Sequence, residues 1–588
     1  MVSMVISRSQ VLEKEVFLFQ RIDAQGRGQM LHLKAIVFLR PTRDNIELLA
    51  KELMSPLFGE YHLFFSNVLS NDAVRTLAQA DTYELVQQVR EIYADFYALS
   101  PSSFSLALPP NEAFTTPLAD RTRDGLFALL LALKKKPVMR YQASSKDATR
   151  LAALLSQHME QQQETLDFGR SDDKGDSAPL LLILDRTDDP LTPLLNQWTY
   201  QAMVHELIGI RNNVVEVPAG AGGSATAKDE TAPMTAVLSP VTDEFFREHM
   251  LTDYGAMNEA VHGKLEELKR ANPHLGREAA QPAAQNASLG SIQEMQRIVE
   301  KFPEMTKMKE NVSKHVNILH YLSRLIDQHN LLEVSELEQQ LAAVQDHKAA
   351  HKQVMSALAD ERIRTLDKVR LVLLYALRYQ KEAIEKGTID EMAGQLGSSS
   401  LVGSFVTTEG SHEPLPKPAQ YPEVLLGECG TAARTAQSDL FNRGVSAVVT
   451  KGLHVVSGRD REANAYMLHQ PMLEKLLSLL DRARLPEDKY PYRGCANSKG
   501  SGAMASASGA SATGAEERMR ALKRAPPEII VFFVGGATYA EGRVVDKFNK
   551  ENRHCRVILG GTCFLSTATF LESLAARAAS NWSTRGGR

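Results

Sequence analysis

The residues best suited to chemistry lie in LLLILDRTDDPLTPLLNQWTYQAMVHELIGI, Leu180 to Ile210. Asp185 closes an apolar run, Asp188 and Asp189 follow at once, and Arg186 stands among them. An aspartate at the end of a buried strand can be a phosphoryl-transfer nucleophile or a magnesium ligand. A magnesium-dependent phosphotransferase using Asp185 and Asp188 is therefore one reading. The haloacid-dehalogenase-like spacing places a second aspartate two residues after the first, and here it arrives one residue late. The architectural alternative is more concrete. Thr192 before Pro193 reads as an N-cap with proline at the first helical position. The carboxylates of the preceding turn suit the positive end of that helix. On this reading Asp185, Arg186, Asp188, Thr192, Trp198 and Glu206 form an internal brace, with Arg186 neutralising a neighbouring carboxylate.

Other motifs give less. HELIG resembles a zinc-protease helix, but that site needs a second histidine where Gly209 stands. Apolar residues nearly surround this helix, which predicts burial. VGGAT and LGGTC place paired glycines at strand ends without the signature of a phosphate loop, so backbone geometry is the reading preferred. Cys429, Cys495, Cys555 and Cys563 show no regular spacing, arguing against a disulfide framework or structural zinc and for a reducing compartment. No Ser-His-Asp or Cys-His set can be assembled, and no cofactor is expected.

The elements that position these residues follow from periodicity. LKAIVFLR and YHLFF read as strands, with a helix between them carrying Ile46, Leu49, Ala50 and Leu53 on one face. TYELVQQVREIYADFYAL reads as a further helix, with Leu85, Val89, Ile92 and Phe96 in one stripe. Tyr97 and Phe104 beyond it could frame a pocket. VMRYQ, PLLLILD, EIIVFFVGG and CRVILGG are the unbroken apolar runs of buried parallel strands, so one sheet is expected to be interrupted by a long insertion. The insertion is helical from Ser291 to Asn330, with LLEVSELEQQLAA returning as the second arm of a hairpin and Pro303 as a weak point in the first. Tracts 218–234 and 272–290 read as loose. Sixteen of the twenty residues from Ala496 to Ala515 are Ala, Ser or Gly, the composition of a loop.

At 588 residues the chain exceeds one core and implies about three domains. Its 67 basic and 71 acidic residues give a net charge of −4, which argues against a general nucleic-acid surface. The charged N-terminus does not read as a signal peptide. No run approaches the ~18 apolar residues of a membrane span, so any membrane contact is expected to be indirect.

From Leu180 to Ile210 the chain resembles the SM family, the Sec/Munc regulators of SNARE-driven membrane fusion. KEVFLFQRID, LHLKAIVFLRPT, FFSNVLS, ALLLALKKKPVMRYQ, VSKHVNILHYLSRLIDQHNLLEVSELEQQLA, LHQPML, YPYRG and IIVFFVGGATY carry the likeness along nearly the whole chain, in order. The resemblance implies a non-enzymatic, monomeric, arch-shaped α/β plus α protein of three domains. Domain 1 would span 1–107, domain 2 108–217 and 472–588 with a loop at 496–520, and the helical domain 3 218–471. It implies as partners a trans-Golgi or endosomal syntaxin and its SNARE complex, and a cytoplasmic chain at the periphery of those membranes. Ile92, Phe96, Tyr97, Phe104 and Leu106 would form the pocket for the syntaxin's N-terminal peptide. The hairpin, with Pro303, Met305, Met308, Val312 and Val316, would template SNARE helices. Family members begin earlier, with a segment supplying a first strand. The expectation is thus either a truncated gene model or a domain 1 that lacks a strand and exposes a sheet edge.

Overall fold

The computed structural model describes residues 8–16, 18–162, 179–211, 213–218, 234–271, 306–343, 347–379, 387–398, 469–493 and 526–585. Residues 219–233 and 272–290 of the expected loose tracts, the Ala/Ser/Gly loop, Pro303 and Met305 lie outside the described residues, and Met234 opens a strand.

A short helix α1 (Arg8–Glu13) precedes β1 (Met30–Leu39), α2 (Arg43–Met54), β2 (Phe58–Phe65), α3 (Asn71–Ala80) and β3 (Val86–Glu91). The strands form a parallel sheet in the order β1-β2-β3. Thr42 and Ser70 cap the two helices by accepting from Asn45 and Ala73 N–H. One sheet face packs Tyr61, Leu63 and Phe65 against Ile46, Leu49 and Leu53 of α2 and Leu77 of α3. The other face is open: Ile36 is 70% exposed, and Phe38 and Phe64 are half-buried. Among the described residues β1 has no strand partner on its outer side.

The helix expected across Leu85, Val89, Ile92 and Phe96 is instead strand β3. The Asp81 carboxylate ends α3 and accepts the N–H groups of Leu85 and Val86 at 2.8 and 3.0 Å, turning the chain into an extended path. Two β-branched valines then pair beside β2.

Strands β4 (Tyr97–Ser100) and β5 (Ser103–Ser105) lead into α4 (Thr116–Leu133), β6 (Val138–Tyr141), α5 (Lys146–Gln162), β7 (Leu180–Asp185) and α6 (Tyr200–Leu207). A hairpin of β8 (Val214–Val217) and β9 (Met234–Val237) follows. The described helices of the insertion are α7 (Glu244–His249), α8 (Tyr254–Ala271), α9 (Thr306–Gln328), α10 (Leu331–Ala343), α11 (His347–Ala359), α12 (Thr365–Arg378) and α13 (Thr388–Ser398). The chain then returns with α14 (Met472–Asp481), β10 (Tyr492–Arg493), β11 (Glu528–Val534), α15 (Tyr539–Glu551), β12 (Arg556–Gly561) and α16 (Thr567–Arg585).

The larger sheet runs β10-β6-β7-β11-β12-β5-β4, parallel from β6 to β5 with an antiparallel strand at each end. β7 and β11, whose paired residues stand 349 apart in sequence, are direct neighbours in register from Leu180↔Ile529 to Asp185↔Val534. Their alternate side chains feed two cores: Leu181, Ile183, Ile530 and Phe532 on one face, and Leu182, Leu184, Val531 and Phe533 on the other. Burial on both faces is why these strands read as continuous apolar runs. The interrupted sheet is thus as expected, but β4 and β5 belong to it, so the first sheet ends at Glu91 rather than at the boundary of 107.

Asp95, 1% exposed, links the two sheets. Its carboxylate accepts from Arg40 at 2.7 Å beyond β1, from Asn67 at 3.1 Å beyond β2, and from Arg121 of α4 at 2.9 Å. A buried carboxylate is stable only when paired and hydrogen-bonded in this way.

Candidate functional site

Three places carry the residues singled out in the sequence. The first surrounds the end of β3. Val89 and Ile92 are 52% and 42% exposed, an apolar pair on the surface of the small sheet. Ile92 is fixed by its N–H donating to Phe65 O at 2.6 Å. Phe96 and Tyr97 are half-buried. Phe104 and Leu106, expected in the same pocket, are instead core residues at 2% and 0% exposure. Phe104 meets the Phe96 ring edge-on at 6.3 Å and stacks on Phe532 at 6.2 Å. The cause is strand pairing: β5 lies beside β12, and Phe104 lies over Gly560, where an added Cβ would fall 2.0 Å from its ring. Of the glycine pair of LGGTC, Gly560 therefore makes room for an aromatic ring, and Gly561 for the backbone of Ala537 and Cys563.

The second place is the expected hairpin. Its described arms are α9 and α10, and α8 packs beside the first of them, with Met257 and Val261 against Leu319 and Leu322. α10 follows α9 after a left-handed Asn330 and lies in contact with it. Met308 and Val312 fall on the first two turns of α9. Val316 is a correction: at 1% exposure it packs in the core with Tyr200 and Phe246, because α9 turns that face towards α6 and α7.

The third is the acidic corner, and here the geometry is densest. Asp185 accepts from Ser145 Oγ at 2.6 Å and from both the N–H and the hydroxyl of Thr187, with Arg577 3.5 Å away. Burial opposes its charge, yet Arg577, Ser145 and Thr187 hold it below its ordinary range. Burial, reinforced by Asp185 and Asp189, pushes the Asp188 carboxyl up to about 6. Arg186, 1% exposed, pairs with Glu541 and lies 4.3 Å above the Phe533 ring. The phosphotransferase reading finds no support, since both oxygens of its nucleophile are committed to structural donors.

Thr192 does not cap α6, contrary to expectation. It opens a single 3-10 turn, Thr192–Leu194, and α6 begins only at Tyr200. Asp189 is the capping group, a role its position alone did not reveal. Its carboxylate accepts the Thr192 N–H at 3.1 Å, the Thr192 hydroxyl at 2.7 Å and the Met472 N–H at the start of α14 at 3.2 Å. Thr192 also meets His469 Nε2 at 3.1 Å. Thr192→Ala leaves two buried groups short of a partner, a loss of about 2 kcal/mol. A lower melting temperature and reduced cellular abundance are expected; an unchanged melt would overturn this role.

The same stretch meets three cores. Leu191, Leu194 and Leu195 pack with α10 to α13 and α16. Trp198, Tyr200, Met203 and Val204 pack with α7, α8 and α9. Ala202 joins the sheet core. Glu206 completes the joint through Arg370 of α12. Arg370 is fully buried, 3.5 Å from Glu206, 2.8 Å from Glu338 and 2.6 Å from Asp367, and it donates to Asn196 at 2.8 Å. Burial, opposed by Arg370, pushes the Glu338 carboxyl up to about 7. The brace thus ties the insertion to the sheet domain. Neither Arg370 nor Glu338 carries a local motif, and both escaped the sequence reading.

The Sec1 family model matches residues 1–573. Vacuolar protein sorting-associated protein 45 of Mus musculus is 38% identical over 580 residues, covering 98% of this chain and 90% of the relative. The homolog of Arabidopsis thaliana is 37% identical over 586 residues, covering 97% and 92%. Among solved structures, the SM protein Vps45 in complex with the Qa SNARE Tlg2 (1-310) is similar with a TM-score of 0.74 and 32% identity, over 98% of this chain and 92% of that one. Two α/β sheets joined at Asp95, a helical insertion braced at Arg370 and a family match spanning nearly every residue agree: the chain belongs to the Sec1 family.

Proposed function

We propose that this chain is a non-enzymatic SM regulator that binds a syntaxin-class SNARE and its assembled complex. It thereby promotes vesicle docking and fusion in endosomal, trans-Golgi and vacuolar protein transport. The observation that carries this reading is the likeness, over 98% of the chain, to Vps45 solved with the Qa SNARE Tlg2. The chemistry is that of a scaffold. An isolated SNARE helix forms poorly in water, and a rigid surface that orders it lowers the entropy lost when the complex assembles.

The exposed Val89 and Ile92 offer the apolar contact for the syntaxin's N-terminal peptide, and the first turns of α9 offer the helix-templating surface. No described helix is long and apolar enough to cross a membrane. Attachment to Golgi and endosomal membranes then comes through the SNARE, with no nucleic acid or cofactor involved.

The test is a pull-down with syntaxin cytoplasmic domains, repeated with the syntaxin's first residues deleted. Retention of an endosomal or trans-Golgi syntaxin is expected, weakened by the deletion and by Ile92→Glu. Folded full-length protein that retains no SNARE would overturn the reading.

A further inference from the structure

The acidic corner is not the only buried polar assembly that reaches the insertion. Helix α9 is held near its middle by Lys314 and His315. Asp243 accepts from His315 Nε2 at 3.0 Å and from Lys314 Nζ at 2.5 Å, while His315 Nδ1 lies 2.8 Å from the Tyr200 hydroxyl. Lys314 also donates to Val237 O of β9 at 3.2 Å. His315 and Tyr200 are both fully buried, and the His315 ring is enclosed by Phe245 and Phe246. The second oxygen of Asp243 is taken by the Phe246 N–H, so the same carboxylate caps α7.

We infer that Tyr200, Asp243 and His315 form the clamp that aims α9, and are positioning residues for the SNARE helix templated on its first turns. The inference rests on the reading of α9 as a templating surface.

Burial opposes the Asp243 charge, but His315 and Lys314 overcome it and hold the carboxyl at about 2. Burial disfavours the charged forms of both His315 and the Tyr200 phenol. The imidazole proton therefore sits on Nε2 facing Asp243, and Nδ1 accepts from the tyrosine. Lys314 and then His249 are the charged neighbours that lower the His315 proton affinity further.

Apolar contacts below the clamp, through Ile318, Leu319 and Leu322, tolerate small sliding movements. The relay does not, because a buried group loses its partner when the donor moves. Thr306 lies nine residues from His315, roughly 14 Å along the helix, so a tilt of about 10° at the clamp would move the helix start by about 2 Å. A shift of that size spoils a preorganised surface.

Tyr200→Phe removes one hydroxyl and keeps the ring packed on Phe246, which lies 6.1 Å away edge-on. Amide exchange over 306–313 is expected to quicken about tenfold, with α14 and α15 unchanged. Binding of a vesicle-side SNARE-motif peptide should weaken about fivefold, while binding of the syntaxin N-terminal peptide stays the same. Asp243→Asn, which keeps an oxygen for the Phe246 N–H, should act in the same direction. Unchanged exchange over 306–313, or uniform quickening in every helix, would overturn the clamp. Wild-type protein that ignores the vesicle-side peptide would instead count against the templating surface, and the exchange data would still decide the clamp.

Discussion

Glu206→Lys should lower the first melting transition by roughly 10 °C, from a loss of about 4 kcal/mol. The reason lies in the charges around Arg370. In the wild type that guanidinium is fully buried and meets Asp367, Glu338 and Glu206, while Arg364 holds the far side of Asp367 at 2.7 Å. Lysine at 206 would bring a second cation towards Arg370 and deprive the Thr567 N–H of its acceptor, which now stands at 2.9 Å. That N–H opens α16, whose residues Phe570, Leu571 and Leu574 sit in the insertion core, so the damage spreads across the joint. Part of the cost would be offset by Glu338, which would give up its proton beside the added positive charge. Glu206→Gln removes the charge but keeps an oxygen for Thr567, and should cost less than half as much. Both variants are checked by thermal melting and by steady-state abundance in cells, where a loss of this size depletes the folded chain. A Lys variant melting within about 2 °C of wild type would show that the joint carries little of the stability.

The strands of the larger sheet were legible because burial on both faces leaves a local mark. LLLILD and IIVFFV are apolar at every position until the strand ends, and no partner need be known to recognise them. β3 left a misleading mark. Leu85, Val89, Ile92 and Phe96 fall at helical intervals, yet Val89 and Ile92 point to solvent and the strand is set by Asp81 and by pairing with β2. Periodicity fails where a strand lies at a sheet edge with little to bury.

The site residues divide in the same way. The acidic turn was recognisable as a corner from its composition, since aspartates, proline and threonine at a strand end favour turns and caps. Which aspartate did the capping was not: Asp189 accepts from Thr192 three residues on, a local spacing passed over in favour of Thr192 itself, and only its third partner, Met472, stands 283 residues away. Arg370 stands 164 residues from Glu206, and His315 stands 115 from Tyr200. Such pairings are set by tertiary packing and leave no spacing to read. Phe104 and Leu106 misled for a related reason: apolar residues after a turn can line a pocket or fill a core, and the distant glycines that receive them, Gly560 for Phe104 and Gly125 for Leu106, decide between the two.

Arg186→Met should cost about 4 kcal/mol, and adding Glu541→Gln should recover a large part of it. Arg186 follows the end of β7 and Glu541 stands in the first turn of α15, and their side chains are 2% and 0% exposed. Glu541 also completes the capping box of α15, accepting the Thr538 N–H at 2.8 Å and the Thr538 hydroxyl at 3.0 Å. Methionine would fill the space over the Phe533 ring but leave a buried carboxyl without its cation. Burial already raises the Glu541 carboxyl above its ordinary value against the pull of Arg186, and losing that arginine raises it further. An acid with a raised folded-state pKa contributes full stability below its unfolded value and loses it as pH climbs through the folded one. The single variant should therefore fall further behind wild type at pH 8 than at pH 5. Glutamine removes the titration and keeps an oxygen for the capping box, as glutamine does at this position in helices generally. The double variant should melt well above the single one and show little dependence on pH. If the two variants melt together and neither responds to pH, the ion pair is not what secures the end of β7 to α15, and cation–ring packing on Phe533 is the stronger hold.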